Sequence, residues 1–141
     1  MGSIQQTTEI AAPAEQVWQA IRNFHDMGWA PNVITGVEAV GEKSGDEVGA
    51  IRVLNGMFRE TLLSLDDDGK TFTYSIDDGP EPLSKGSVSN YVGQVTVRQL
   101  AEGGGALVEW SSSWEDNDES VYDFCLPMYV ALLQDMKTSL E

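Results

Sequence analysis

Arg52 and Glu60 stand on either side of an Asn55-Gly56 pair, and that placement makes them the first candidates for chemistry in this chain of 141 residues. Asn-Gly between two apolar runs is a strong hairpin signal. A two-residue turn sets Arg52 across from Arg59. A three-residue loop, Asn55-Gly56-Met57, sets it across from Glu60, on the same face as Phe58. In the second register an inward guanidinium–carboxylate pair can hold a ligand's carboxylate or hydroxyl, or polarise a carbonyl. A structural ion pair, or two solvated side chains, accounts for the same residues. Tyr74 and Tyr91 carry phenols suited to a ligand's polar end inside an apolar pocket. As a general acid, a tyrosine needs its pKa lowered by a cation, and Arg52 is the cation at hand. The plainer reading is two tyrosines packed in a core with their hydroxyls on buried water.

Other reactive residue types are scarce. The chain has one histidine, His25, and one cysteine, Cys125. A Cys–His dyad needs the two in contact, and nothing in their spacing brings them together. Cys125 on an apolar stripe reads as core, and His25 as a surface or gate residue near the mouth of a pocket. A histidine-rich metal site is excluded. Asp66-Asp67-Asp68-Gly69 resembles a calcium loop only superficially, because the twelfth position is Asp77 rather than Glu. It reads as a solvated hairpin turn. No metal and no cofactor is expected.

The elements that must position these groups are legible as alternation. In residues 72–77 the even positions are apolar, with Phe72, Tyr74 and Ile76 on one side. In residues 91–98 the odd positions face in, and Gln94, Thr96 and Arg98 face out. In residues 106–115 the even set is inward, carrying Trp110, Ser112 and Trp114. Period two with one wet face predicts an antiparallel sheet packed on one side. Gly93 and Ser112 between wide rings are expected to leave room on that face. Strands are predicted at 3–11 and near 34–42, 48–54, 58–65, 71–77, 87–100 and 105–115. A helix is expected from Pro13 to about residue 24, with Ala14, Val17, Trp18, Ile21 and Phe24 as its apolar stripe. Val121, Cys125, Met128, Leu132 and Met136 make a second stripe, on a long closing helix that Pro127 should kink or split. Glu115-Asp116-Asn117-Asp118-Glu119 is its acidic start. One long amphipathic helix must then cover the apolar face of a meander, which gives an α+β grip with space between helix and sheet.

Length sets one domain, residues 1–141, with a single core. No run of 18 or more apolar residues is present, so no membrane span is expected. The opening residues lack the basic and apolar regions of a signal peptide, and Gln6 departs from the myristoylation pattern. A lone cysteine fits a reducing cytoplasm. With 23 acids against 8 bases the net charge is −15, and such a surface is repelled by nucleic-acid phosphates and anionic lipid. The acidity suits solubility or a salty host. The expected partner is a small hydrophobic ligand, and the chain is a monomer or homodimer.

Residues 10–24, Ile10-Ala11-Ala12-Pro13 through Asn23-Phe24, resemble the opening of the START-like helix-grip superfamily. The bacterial branch concerned is called polyketide cyclase/dehydrase-like, and it is similar to plant abscisic-acid receptors and pollen-allergen proteins. Gly49–Leu54, Phe58–Asp66, Tyr74-Ser75-Ile76, Asn90-Tyr91 and Val108–Glu115 resemble its later strands in order. The resemblance implies a helix-grip fold, a curved six- to seven-stranded antiparallel sheet around a long C-terminal helix. It favours the register that faces Arg52 with Glu60. A ligand cavity is expected between sheet and helix, lined by Arg52, Phe58, Glu60, Tyr74, Tyr91, Trp110, Ser112, Trp114, Met128 and Leu132. One departure stands out: Gly79-Pro80-Glu81-Pro82-Leu83 is followed by Ser84–Ser89 before Asn90, where the family's gate loop enters the strand directly. The function expected is binding of a small hydrophobic or amphipathic molecule; the alternatives are a cyclase/aromatase activity on a polyketide-like substrate and, from another class, regulatory or chaperone-like protein binding. In the last case an exposed apolar patch is expected around residues 79–88.

Overall fold

Alternating inward residues make seven strands, and only two segments have helical periodicity. The computed structural model describes residues 1–141. In chain order these are β1 (Gly2–Ile10), α1 (Ala14–Ile21), β2 (Val37–Val40), β3 (Ile51–Leu54), β4 (Phe58–Asp66), β5 (Thr71–Asp78), β6 (Ser89–Gln99), β7 (Ala106–Glu115) and α2 (Asp118–Leu140). The sheet runs β1-β7-β6-β5-β4-β3-β2, antiparallel throughout. Strands β2 to β7 form a meander, and β1 closes it by pairing with β7. Two irregularities in the β4–β5 pairing, at Arg59/Glu60 and Leu62/Ser64, bend the sheet. Helix α2 packs against β1 and β7, across the concave face. This is the helix-grip architecture that the family resemblance implied, and the α+β grip that the order of elements predicted.

The alternation expected in β5, β6 and β7 is the alternation observed. Phe72, Tyr74, Tyr91, Val95, Val97, Val108, Trp110 and Trp114 are all buried, together with Phe58 on β4. Helix α1 is shorter than its stripe suggested. It ends at Ile21, yet Phe24 beyond it is still buried, because the following loop turns back onto the sheet. Gln99 reaches from β6 to accept a hydrogen bond from the Ala14 amide at 2.9 Å, so a side chain from elsewhere satisfies the N-terminus of α1. Asp67, in the β4–β5 turn, is more than a solvated turn residue. Its carboxylate accepts from the Trp18 indole at 2.8 Å and from two nitrogens of Arg22 at 2.7 and 3.0 Å, fastening α1 to the turn.

Pro127 does not split α2. The helix is continuous from Asp118 to Leu140. Pro127 and Asp123 both lie on its exposed face, so the carbonyl left without an amide partner faces water. The acidic run ahead of the helix divides. Glu115 ends β7, Asp116 and Asn117 turn the chain with positive φ, and only Asp118 and Glu119 belong to the first helical turn.

Gly93 does not leave empty space. It is paired with Tyr74 across β5 and β6, and the phenol of Tyr74 lies where a Cβ at 93 would be. Because Trp110 holds the Tyr74 hydroxyl at 2.8 Å, the ring has little freedom to move aside. Gly93→Ala is expected to destabilise the protein by about 1–3 kcal/mol through overpacking, read from urea unfolding. An unchanged midpoint would mean that the ring has another place to go.

Candidate ligand-binding site

The β3–β4 hairpin fixes the charged centre of the site. Asn55 and Gly56 both have positive φ, and the Met57 amide donates to the Leu54 carbonyl at 2.9 Å. Met57 is then an extra residue, and Phe58 rather than Met57 faces Leu54. Arg52 consequently faces Glu60, the register that the family resemblance favoured. The Asn55 side chain serves only to brace this turn. It accepts from the Thr35 and Gly36 amides and the Thr35 hydroxyl, and donates to the Val33 carbonyl at 3.0 Å.

Arg52 is 3% exposed and Glu60 5%. Nε of Arg52 donates to Oε1 of Glu60 at 2.8 Å, and a terminal nitrogen lies 2.7 Å from the same oxygen. The other terminal nitrogen donates to the Phe24 carbonyl at 3.1 Å and to Met27 Sδ at 3.3 Å. The guanidinium carbon sits 3.8 Å above the Phe24 ring and 5.6 Å from that of Tyr74. Burial raises the Glu60 carboxyl above its ordinary value, and Arg52 opposes that shift.

A cavity of about 400 Å³ opens beside this pair, between the concave sheet and α2. Eight of the ten residues expected at a ligand site lie on its wall: Arg52, Phe58, Glu60, Tyr74, Tyr91, Trp110, Met128 and Leu132. Ser112 and Trp114 do not. Ser112 is one step back, hydrogen-bonded to the Tyr129 hydroxyl. Trp114 stacks on Tyr91 with ring centres 5.6 Å apart, against Gly2 at the end of β1, and its indole nitrogen is buried without a partner. Position 114 is inward by alternation, but it lies at the end of the sheet that β1 and the start of α2 already fill.

Tyr129 is one of the wall residues that the sequence reading passed over. The spacing 121-125-129-132-136 is as helical as 121-125-128-132-136, so an equal alternative was present in the stripe. Tyr129 is 2% exposed, and its hydroxyl meets those of Tyr91, Ser112 and, at 3.4 Å, Tyr74. Tyr91 also contacts Cys125 Sγ at 3.5 Å. The tyrosine hydroxyls are thus bonded chiefly to one another. Burial, reinforced by the neighbouring phenols, pushes Tyr74, Tyr91 and Tyr129 well above the usual tyrosine range. The expected role of Arg52 in lowering a tyrosine pKa is therefore not realised: desolvation wins, and Arg52's charge is already engaged by Glu60. Burial likewise raises the Cys125 thiol. His25 is away from the wall, with Nε2 2.9 Å from the Ile51 carbonyl.

Loops supply the rest of the enclosure. Met27, Val33 and Ile34 come from the segment after α1, which Asp135 of α2 holds by accepting from the Asn32 amide and side chain at 2.8 and 2.9 Å. In the gate segment, Asp78 accepts from the Gly79 and Lys85 amides, and Glu81 accepts from the Ser84 and Ser87 hydroxyls. Residues 84–89 complete this braced turn ahead of Asn90, and Leu83 points inward at 1% exposure.

Removing one partner of a buried pair leaves the other uncompensated, whereas replacing both with apolar groups is often neutral or stabilising. Arg52→Met is expected to lower stability by about 3–5 kcal/mol, and Arg52→Met/Glu60→Leu to recover most of that loss in urea unfolding. Arg52→Met should also become less stable as pH rises from 4.5, the ordinary value for Glu60. The folded state holds that proton more tightly than the unfolded one, so its advantage is present at low pH and is lost as Glu60 ionises. A double variant no more stable than Arg52→Met would show that the pair contributes more than mutual neutralisation.

No curated protein matches the chain. Among solved structures, a protein from Nitrosospira multiformis superposes with a TM-score of 0.95 at 37% identity, over 99% of this chain and 96% of that one. The protein XoxI from Bacillus cereus gives a TM-score of 0.81 at 27% identity, over 99% and 96%. A Thermobifida fusca protein shares the fold at 21% identity, with a TM-score of 0.81 over 97% and 91%. The match to the family described as polyketide cyclase / dehydrase and lipid transport runs over residues 1–141, and the chain belongs to that family.

Proposed function

We propose that the protein binds a small, mainly apolar molecule in the cavity between the sheet and α2. The cavity itself carries this reading. At about 400 Å³ it is within the range of small-molecule sites, and its wall is aromatic and aliphatic apart from Arg52, Asn55, Pro80 and Glu60. A fold that could close on itself instead keeps a void bordered by Phe58, Trp110, Phe124 and Leu132. Met57, 52% exposed on the hairpin tip, also belongs to the wall, so the mouth lies near that tip. Nothing in the structure supports docking of a protein at residues 79–88, where Leu83 is buried and no large apolar side chain stands exposed.

A cyclase- or dehydratase-type reaction is the second reading, and Glu60 favours it as a carboxylate on the wall of an otherwise apolar chamber. Against it stand the tyrosines, whose raised pKa values make them weak proton donors. Ligand recovered unchanged after incubation supports the binder, and conversion to a new product supports the enzyme.

Native mass spectrometry of protein purified from its own host is expected to show a bound small molecule. In vitro, N-phenyl-1-naphthylamine should bind at one site per chain with enhanced fluorescence. Met128→Trp, which enlarges a half-buried wall residue, should weaken that binding at least about tenfold while the protein stays folded. Unchanged dye affinity in a folded variant would place the dye elsewhere and remove the support for this cavity.

A further inference from the structure

We infer that the cavity selects a neutral ligand carrying a hydroxyl or N–H donor, received by Oε2 of Glu60, and disfavours carboxylates. The inference rests on the ligand-binding reading above and names the chemical class that the cavity takes.

Most polar side-chain atoms on the wall already have partners within the protein. Asn55 spends its side chain on Val33, Thr35 and Gly36. The hydroxyls of Tyr74, Tyr91 and Tyr129 bond among themselves, with Trp110, Ser112 and Cys125 completing the set. Arg52 directs Nε and one terminal nitrogen to a single oxygen of Glu60, and its other terminal nitrogen to Phe24 and Met27. Both contacts to Glu60 go to Oε1. Oε2 receives no hydrogen bond from the protein, although Glu60 is 5% exposed and lines the cavity.

Oε2 borders the cavity space, and a ligand that closes it off from water must supply a donor in water's place or leave a charged oxygen unsatisfied. An alcohol, phenol or amide N–H meets the requirement. A ligand carboxylate brings only acceptors when ionised and adds a like charge next to Glu60. Arg52 offsets little of that charge, because its guanidinium already neutralises Glu60 and is held by Glu60, by the carbonyl and ring of Phe24, and by Met27. Outside the cavity the protein carries −15, which opposes the approach of an anion as well.

Three probes with one ring system separate the possibilities: 2-naphthol, 2-methoxynaphthalene and 2-naphthoate, each titrated calorimetrically into the wild-type protein at neutral pH. A hydrogen bond to a charged acceptor is expected to make 2-naphthol bind about tenfold or more tighter than the methoxy compound, with 2-naphthoate the weakest. In Arg52→Met/Glu60→Leu the ratio of naphthol to methoxynaphthalene affinity should fall to about one. Equal wild-type affinities for the naphthol and methoxy compounds would overturn the inference while leaving an apolar binding site in place. So would a preference for the naphthoate. No binding by any of the three would overturn the inference together with the reading it rests on. The wild-type comparison stands by itself if the double variant does not fold.

Discussion

A guanidinium buried at 3% exposure needs its charge neutralised and most of its N–H groups met, and that requirement organises this half of the molecule. Arg52 meets it with one carboxylate from the neighbouring strand, one carbonyl and one sulfur from the loop after α1, and the face of an aromatic ring. These partners come from segments far apart in the chain. Satisfying one cation therefore agrees with the register that the turn sets, and ties residues 24–27 to the sheet with Phe24 against the core. The loop held in this way supplies part of the cavity wall. Stability and the shape of the cavity are coupled here through a single side chain, because the groups that neutralise Arg52 also border the chamber.

The other end of the cavity is organised by hydrogen bonds without charge. Tyr129 projects from α2 into a group of hydroxyls contributed by β5, β6 and β7. Phenols so deeply buried stay protonated, and each has one proton to give. They form a closed set with Trp110 and Cys125 and anchor the helix across the strands. Two polar centres thus have different characters. The hydroxyl group satisfies itself and is structural. The ion pair leaves one oxygen without a partner, and that asymmetry is what a ligand can recognise.

The outer surface follows another logic. Carboxylates outside the core serve the backbone and the turns: Asp67 holds α1, Asp78 and Glu81 brace the gate segment, and Asp66 accepts from the amides of its own turn. Much of the acidity has local work in shaping loops. The remainder sets a field that any charged ligand must cross. No helix is long and apolar enough to cross a membrane.

The amino-acid sequence by itself determined the sheet. Period two is a local property, so which faces of β5, β6 and β7 turn inward could be read from neighbours two residues apart. The stripe of α2 and the order of elements were legible for the same reason, and order with amphipathicity leaves few ways to cover a meander. What the sequence left open was decided at longer range. The facing of Arg52 and Glu60 depended on one residue in a loop, since a slip of one turns every side chain over. Trp114 and Ser112 obey the alternation yet lie off the wall, because position along a strand, not only its face, decides what a residue borders. Tyr129 and Met128 fit the helical stripe equally and both reach the wall, and only the hydroxyls waiting on three strands draw Tyr129 into full burial while Met128 stays half-buried. Phe24 remains in the core after its helix has ended because Arg52 pulls the loop inward. Local periodicity gives direction, but tertiary packing alone decides which inward residues meet each other and which meet a space.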